Sequence, residues 1–139
     1  MSQFPCVSAD AEYTEQERSN RDLVMSFYEN AFNRHDLAAA SSYLDPGYTE
    51  HSPQFKDGPD GFAEFFSEFW RLYPRFRLEI KRVFIQGDMV AAHVRAHEGA
   101  SPNGDAIVDI FRLADGRIAE HWAVTRPIPE SAANPNSMF

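Results

Sequence analysis

The hydrophobic period of this chain changes once, at Pro74, and that change constrains the fold more than any other feature. Before Pro74 apolar residues recur at helical spacing; after it they alternate two by two. The alternating half divides into strand candidates at 76–86, 89–98, 106–113 and 117–126. Gly87-Asp88, the Ser101-Pro102-Asn103-Gly104 loop and Asp115-Gly116 connect them, all turn chemistry. A parallel pair would need a long crossover, so such short links predict an antiparallel meander. Helices first and an antiparallel sheet afterwards is an α+β arrangement. A twisted sheet curled round the helices leaves a blind cavity between the layers, the default place for a small molecule.

The helical half has its own punctuation. Thr14 followed by Glu17 predicts a capping-box start. Leu23, Val24, Phe27, Tyr28, Ala31 and Phe32 then trace one face of a long first helix, broken at Asn33-Arg34-His35-Asp36. Asp36 can cap a short second helix over 37–44, which Pro46-Gly47 ends. Residues 48–55 read as a short strand or loop. Gly58-Pro59-Asp60-Gly61 is a turn in which Asp60 can cap a third helix carrying Phe62, Phe65, Phe66, Phe69, Trp70 and Tyr73. With 139 residues the chain holds one domain, expected over 14–129, between a loose tail at 1–13 and a polar tail at 130–139 that ends in an apolar Met138-Phe139 tip.

Composition excludes several functions. A net charge of −8 speaks against nucleic acid or an anionic membrane surface as partner. No apolar run reaches the roughly 18 residues of a membrane span, and the N-terminus lacks a secretory signal, so a cytoplasmic protein is expected. Cys6 is the one cysteine, which rules out an intrachain disulfide and a cysteine-based zinc site. The 12 Phe residues suit either a core or the wall of a pocket.

Chemistry is suggested near the C-terminus. Asp109 lies inside the apolar run Val108-Asp109-Ile110-Phe111, and His93, Arg95 and His97 alternate along the preceding strand. Burial disfavours a charged carboxylate, so an enclosed acid can serve as a proton acceptor near neutral pH. If Asp115-Gly116 is a two-residue hairpin, Leu113 pairs with Ile118, Phe111 with Glu120 and Asp109 with Trp122. That register makes Trp122 a side-wall neighbour of Asp109 and puts His121 on the opposite face. Blander readings stand beside these. His93, Arg95 and His97 can be a solvated polar face, Asp109 a structural acid satisfied by backbone or by Arg95, His51 a loop residue, His121 a buried interface or sheet residue, and the aromatic stripe plain core.

The motifs Tyr48-Thr49-Glu50-His51-Ser52-Pro53, Glu79-Ile80-Lys81-Arg82-Val83-Phe84 with Gly87-Asp88, and Val108-Asp109-Ile110-Phe111-Arg112 leading to Glu120-His121-Trp122 resemble the SnoaL-like polyketide cyclases of the nuclear-transport-factor-2-like superfamily. The ending, Pro127-Ile128-Pro129-Glu130 with Asn136-Ser137-Met138-Phe139, is similar to a subgroup of predicted aldol-condensation enzymes. The resemblance covers about residues 18–139. It implies a cone-shaped α+β barrel, three helices wrapped by a curved antiparallel or mixed sheet. It also implies a homodimer, often formed through the outer sheet face. It implies an acid/base role for Asp109 and help at an enolate oxygen from His97 or His93. The chain departs from its relatives at Arg95, where a His is commoner, and at Ala123, where an Asp usually follows the Trp.

Three functions follow as expectations. The first is a cofactor-free enzyme moving a proton next to the carbonyl of a small hydrophobic molecule, in aldol cyclisation, isomerisation or dehydration. Asp109 would act with His97 and His93, while Arg95, Trp122, Phe111, Tyr48, His51 and Phe66 contact the substrate. The alternative is a module that binds such a molecule without turning it over. A metal site on His93, His97 and Asp109 is the third; no metal or cofactor is expected under the first two.

Overall fold

The computed structural model describes residues 12–139. The tail expected over 1–13, with Cys6, falls almost wholly outside the described residues.

Helix α1 (Glu15–Phe27) starts at a reciprocal capping box. Glu17 N–H donates to Thr14 Oγ1 at 3.0 Å, and Thr14 N–H to Glu17 Oε1 at 2.9 Å. Tyr28–Asn33 continues it as a wider π-helical turn. There the Asn33 side chain both donates to Leu78 O (3.0 Å) and accepts from Leu78 N–H (2.8 Å), which ties the helix end to the sheet. Helix α2 (Leu37–Tyr43) is capped by Asp36, whose carboxylate accepts from Ala39 N–H at 3.0 Å. Helix α3 (Gly58–Leu72) is capped by Asp57 and not by Asp60. Asp57 Oδ1 accepts from Gly58 N–H at 2.8 Å and from Glu50 N–H at 2.9 Å, so one carboxylate joins the helix start to the end of the first strand. Gly61 permits this closure: a Cβ there would stand 1.8 Å from Lys56 O.

Strands β1 (Leu44–Glu50), β2 (Arg77–Gln86), β3 (Met89–His97), β4 (Asp105–Ala114) and β5 (Arg117–Pro127) form one sheet in the order β1-β5-β4-β3-β2. The last four make the antiparallel meander that the short links require, and β1 adds in parallel to β5. The sheet is therefore mixed. Its concave face takes the helices over a core that includes Val24, Phe27, Tyr28, Phe62, Phe66, Val83, Val94 and Ile118.

The β4–β5 register differs from the simple hairpin. Leu113 does pair with Ile118, but the next pair is Arg112 with Glu120, leaving Ala119 as an extra residue. Phe111 then faces His121, Ile110 faces Trp122, and Asp109 faces Ala123. A one-residue bulge sends every later side chain of the strand to the other face. His121 therefore points to the concave side and Trp122 to the convex side, the reverse of the register expected from the sequence.

Candidate functional site

Between the helices and the concave sheet face lies a cavity of about 170 Å³. Phe27, Leu44, Phe62, Phe66, Phe111 and Ile118 give it apolar walls, and Tyr48, Glu50, Asp109 and His121 bring polar groups into it. β4 delivers Asp109 and Phe111 by alternation, and the bulge in β5 delivers His121. β1 delivers Tyr48 and Glu50, two residues apart on one face.

These polar groups form one connected line. Tyr28 Oη donates to Asp109 Oδ2 at 2.5 Å, and His121 Nε2 meets Asp109 Oδ1 at 2.9 Å. His121 Nδ1 meets Glu50 Oε2 at 2.8 Å. Glu50 also accepts from Tyr48 Oη and, at 3.0 Å, from Ser52 N–H. The Asp109 and Glu50 side chains are 9% and 1% exposed, so these bonds are made away from water.

The protonation pattern follows from the partners. Both nitrogens of His121 face carboxylate oxygens, and a carboxylate only accepts. Each nitrogen must donate, so the ring is an imidazolium. Burial opposes that charge, but the hydrogen bonds to Asp109 and Glu50 outweigh it and hold the His121 pKa at about 9. Glu50 is lowered: burial pushes it upward, and the bond to His121 with those from Tyr48 and Ser52 more than reverses this. Burial raises Tyr28 well above its ordinary value, and the Asp109 carboxylate raises it further. Burial and Glu50 do the same to Tyr48. Both phenols stay neutral donors.

Other expected site residues lie elsewhere. Asp109 was expected to share a cavity with His93, Arg95 and His97, but in the register it pairs with Ala92, and the three basic residues project from the convex face. Strand alternation is the reason: Val90, Ala92, Val94 and Ala96 take the buried face. Convex-side partners hold all three. Arg82 bonds to His93 Nδ1, and Glu79 Oε1 lies 2.8 Å from His97 Nε2. Arg95 lies against the Phe139 ring, at 5.5 Å. His93 and His97 therefore cannot join Asp109 around one metal. Nor does Arg95 satisfy Asp109. His51 and Trp122 are also outside the cavity; they stack on each other at 4.8 Å and 2°, and His51 Nε2 meets Glu120 Oε2 at 2.6 Å. Tyr48, Phe66 and Phe111 do line the cavity.

Tyr28, Glu50 and His121 were not singled out as site residues from the sequence. Glu50 carried a signal, its i, i+2 relation to Tyr48 on a strand. Tyr28 carried a weaker one, since a phenol on an apolar helix face needs a partner for its hydroxyl. His121 carried none, because the bulge that turns it inward has no signature in the residues around Ala119.

Residues 24–121, more than half of the chain, match the SnoaL-like domain family. The chain belongs to the SnoaL-like domain family. Its fold is that of solved relatives. A candidate polyketide cyclase from Bacillus cereus superposes with a TM-score of 0.71 at 17% identity, covering 88% of this chain and 83% of that one. A candidate SnoaL-like polyketide cyclase from a Jannaschia species gives 0.70 at 20% identity, covering 82% and 90%. A candidate ketosteroid isomerase from Kribbella flavida gives 0.68 at 18% identity, covering 88% and 86%. At such identities the likeness carries the fold alone. No curated protein matches the sequence. Within the SnoaL-like frame, Ala123 stands directly opposite Asp109 and lines the cavity. Position 123 therefore adds no carboxylate to the cavity.

Proposed function

We propose that this SnoaL-like domain is a cofactor-free acid/base enzyme acting on a small hydrophobic carbonyl compound, by aldol-type cyclisation, isomerisation or dehydration. One observation carries the reading: the Asp109 carboxylate is hydrogen-bonded to a doubly protonated His121 inside an apolar cavity. A carboxylate has about four lone-pair positions, and Tyr28 and His121 use two. The remainder can accept a proton from the carbon next to a carbonyl. As the C–H bond breaks, its electron pair moves onto the carbonyl oxygen and the proton goes to Asp109. The imidazolium beside it supplies positive charge that stabilises the developing enolate, and the Tyr28 hydroxyl holds Asp109 in place. Returning the proton to another carbon gives an isomer; attack of the enolate on a second carbonyl forms the new C–C bond and an alkoxide, which takes the proton back from Asp109 to give an aldol.

Glu50 and Tyr48 are positioning residues in this scheme. Glu50 keeps the His121 ring charged and fixed in plane, and Tyr48 with Ser52 N–H keeps Glu50 ionised. The cavity volume, about 170 Å³, is close to the roughly 150 Å³ in which an engineered apolar cavity holds benzene. It suits a molecule of one ring or an equivalent chain. The test is solvent deuterium exchange next to the carbonyl of small hydrophobic ketones and β-keto esters, followed by NMR for wild type and Asp109→Asn.

A specific observation favours a second reading, a module that binds the same kind of molecule unchanged. Both Asp109 oxygens are already engaged, as in a purely structural network. Recovery of a bound molecule chemically unchanged, with no exchange on any panel member, would make this second reading the better one.

We propose further that the domain is a homodimer formed through the convex sheet face. Val108 and Val124 are directly paired there and are 43% and 74% exposed, with the Ile110–Trp122 pair alongside. A paired apolar row of this kind is self-complementary across a two-fold axis. Wild type should sediment as a dimer and Val124→Asp as a monomer with unchanged circular dichroism; a monomeric wild type at tens of micromolar would reject the proposal.

A further inference from the structure

The convex face carries a second feature that the cavity chemistry does not use. At the open end of β2 and β3, against the 98–104 loop, lies a polar depression of about 540 Å³. Arg75, Arg77, Arg95 and His97 line it, with Glu98 as its acid. Three guanidiniums thus face one carboxylate, in a chain whose net charge is −8. Glu98 is taken by Arg75 at 2.7 Å. The nearby Glu79 is shared by His97 at 2.8 Å and Lys81 at 3.0 Å. Neither carboxylate forms an ion pair with Arg77 or Arg95.

The geometry points to a binding site for a phosphate group on Arg77 and Arg95, separate from the cavity. Arg77 stands opposite His97, and Arg95 opposite Glu79, in the β2–β3 register. The two arginines are therefore diagonal neighbours on one face, with Cβ atoms about 7–8 Å apart. That spacing lets two guanidinium forks close on the oxygens of one group. Two guanidinium charges match a doubly charged oxyanion; a single carboxylate would need only one of them.

Arg95 is also held ready. Its guanidinium carbon lies 5.5 Å from the centre of the Phe139 ring, and its Nε is buried with no hydrogen-bond partner. A cation stacked on an aromatic face loses less freedom on binding than a free one. Gly104 fixes the floor beside it. With φ at +85° it brings the loop so close to β3 that a Cβ would stand 2.3 Å from Ala96 O. The Met138-Phe139 tip, whose ring also lies 5.3 Å from His93, thus acquires a use: it positions Arg95.

The experiment is a titration of the full chain with inorganic phosphate, inorganic pyrophosphate and glycerol 3-phosphate, with acetate as the singly charged control. Calorimetry and the side-chain ¹⁵N signal of Arg95 Nε give the readouts. Pyrophosphate should bind and move the Arg95 signal, and raising the salt should weaken it. Arg77→Gln and Arg95→Gln should each lower affinity about tenfold or more, the loss expected for one charged fork. Phe139→Ala should weaken binding by a smaller factor while leaving both arginines in place. Tighter binding of glycerol 3-phosphate than of inorganic phosphate would identify an organic ester as the natural form; equal binding would mean that the free oxyanion is what the site reads. Both keep the proposal. Acetate binding as tightly as pyrophosphate, an unmoved Arg95 signal, or unchanged affinity in both arginine variants would overturn it.

Discussion

Asp109→Asn should lower the exchange rate next to the substrate carbonyl by about 10²–10⁴, the usual contribution of a positioned base. That range is roughly 3–5 kcal/mol of barrier. The substitution keeps shape and volume, so the apolar walls formed by Phe62, Phe66 and Phe111 should still bind the substrate. The loss should therefore appear in kcat, with KM little changed. An amide has one accepting oxygen where the carboxylate has two. In wild type those two serve Tyr28 and His121, so the variant leaves one donor without an acceptor. The cheapest relief is for His121 to lose its Nε2 proton and accept from the new amide, and the variant should show a lower His121 pKa by NMR. A buried donor left unmet costs about 1–3 kcal/mol, so the variant should fold but unfold earlier in urea. Full exchange activity in a folded Asp109→Asn protein would remove Asp109 as the base and leave Glu50 as the next candidate.

Much of the frame could be read before the structure. The change of period at Pro74, the capping box at Thr14 and the short links between strands are local features, and local chemistry decides them. Asp57 displaced Asp60 as the cap of α3 because the loop before Gly58 folds back on β1, a tertiary event. The site was read less well, for one geometric reason and one of partner choice. Alternation correctly separates the residues of a strand into two faces, but it does not say which face is concave. His93, Arg95 and His97 share a face, and it is the outer one, because Val90, Ala92, Val94 and Ala96 take the core. Ala119 then inserts one residue into β5 and exchanges the roles of His121 and Trp122. A bulge of that kind is a compromise between sheet curvature and packing. Ile118 and Ala119 both end up buried, which strict alternation forbids. Tyr28 lies 81 residues from Asp109 in sequence, and only the π-helical turn packed against the concave sheet face brings them together.

Stability should fall as the pH rises through about 9, and His121 should be the cause. Its pKa in the folded chain is about 9 against an ordinary value of 6.5, raised by Asp109 and Glu50 despite burial. A group whose folded pKa is raised binds its proton more tightly in the native state. Its contribution is complete below pH 6.5, declines as the unfolded chain stops competing for the proton, and is gone above about 9. A shift of this size corresponds to roughly 3 kcal/mol at most. Glu50 works in the opposite sense. Its pKa is lowered, so its contribution is present at neutral pH and disappears as the pH falls through the depressed value. The urea midpoint of wild type should therefore be level just below pH 6.5 and drop between about pH 6.5 and 9. His121→Gln should be less stable at pH 7 and lack that alkaline limb. The same charge matters for the reaction: if the imidazolium stabilises the enolate, kcat/KM should fall along an alkaline limb near pH 9. Coincidence of the two limbs in wild type, together with the flat urea profile of His121→Gln, would tie both to one proton. A wild-type urea profile as flat as the variant's would mean that the ring is neutral in the folded chain, and that its nitrogens do not both donate to carboxylates.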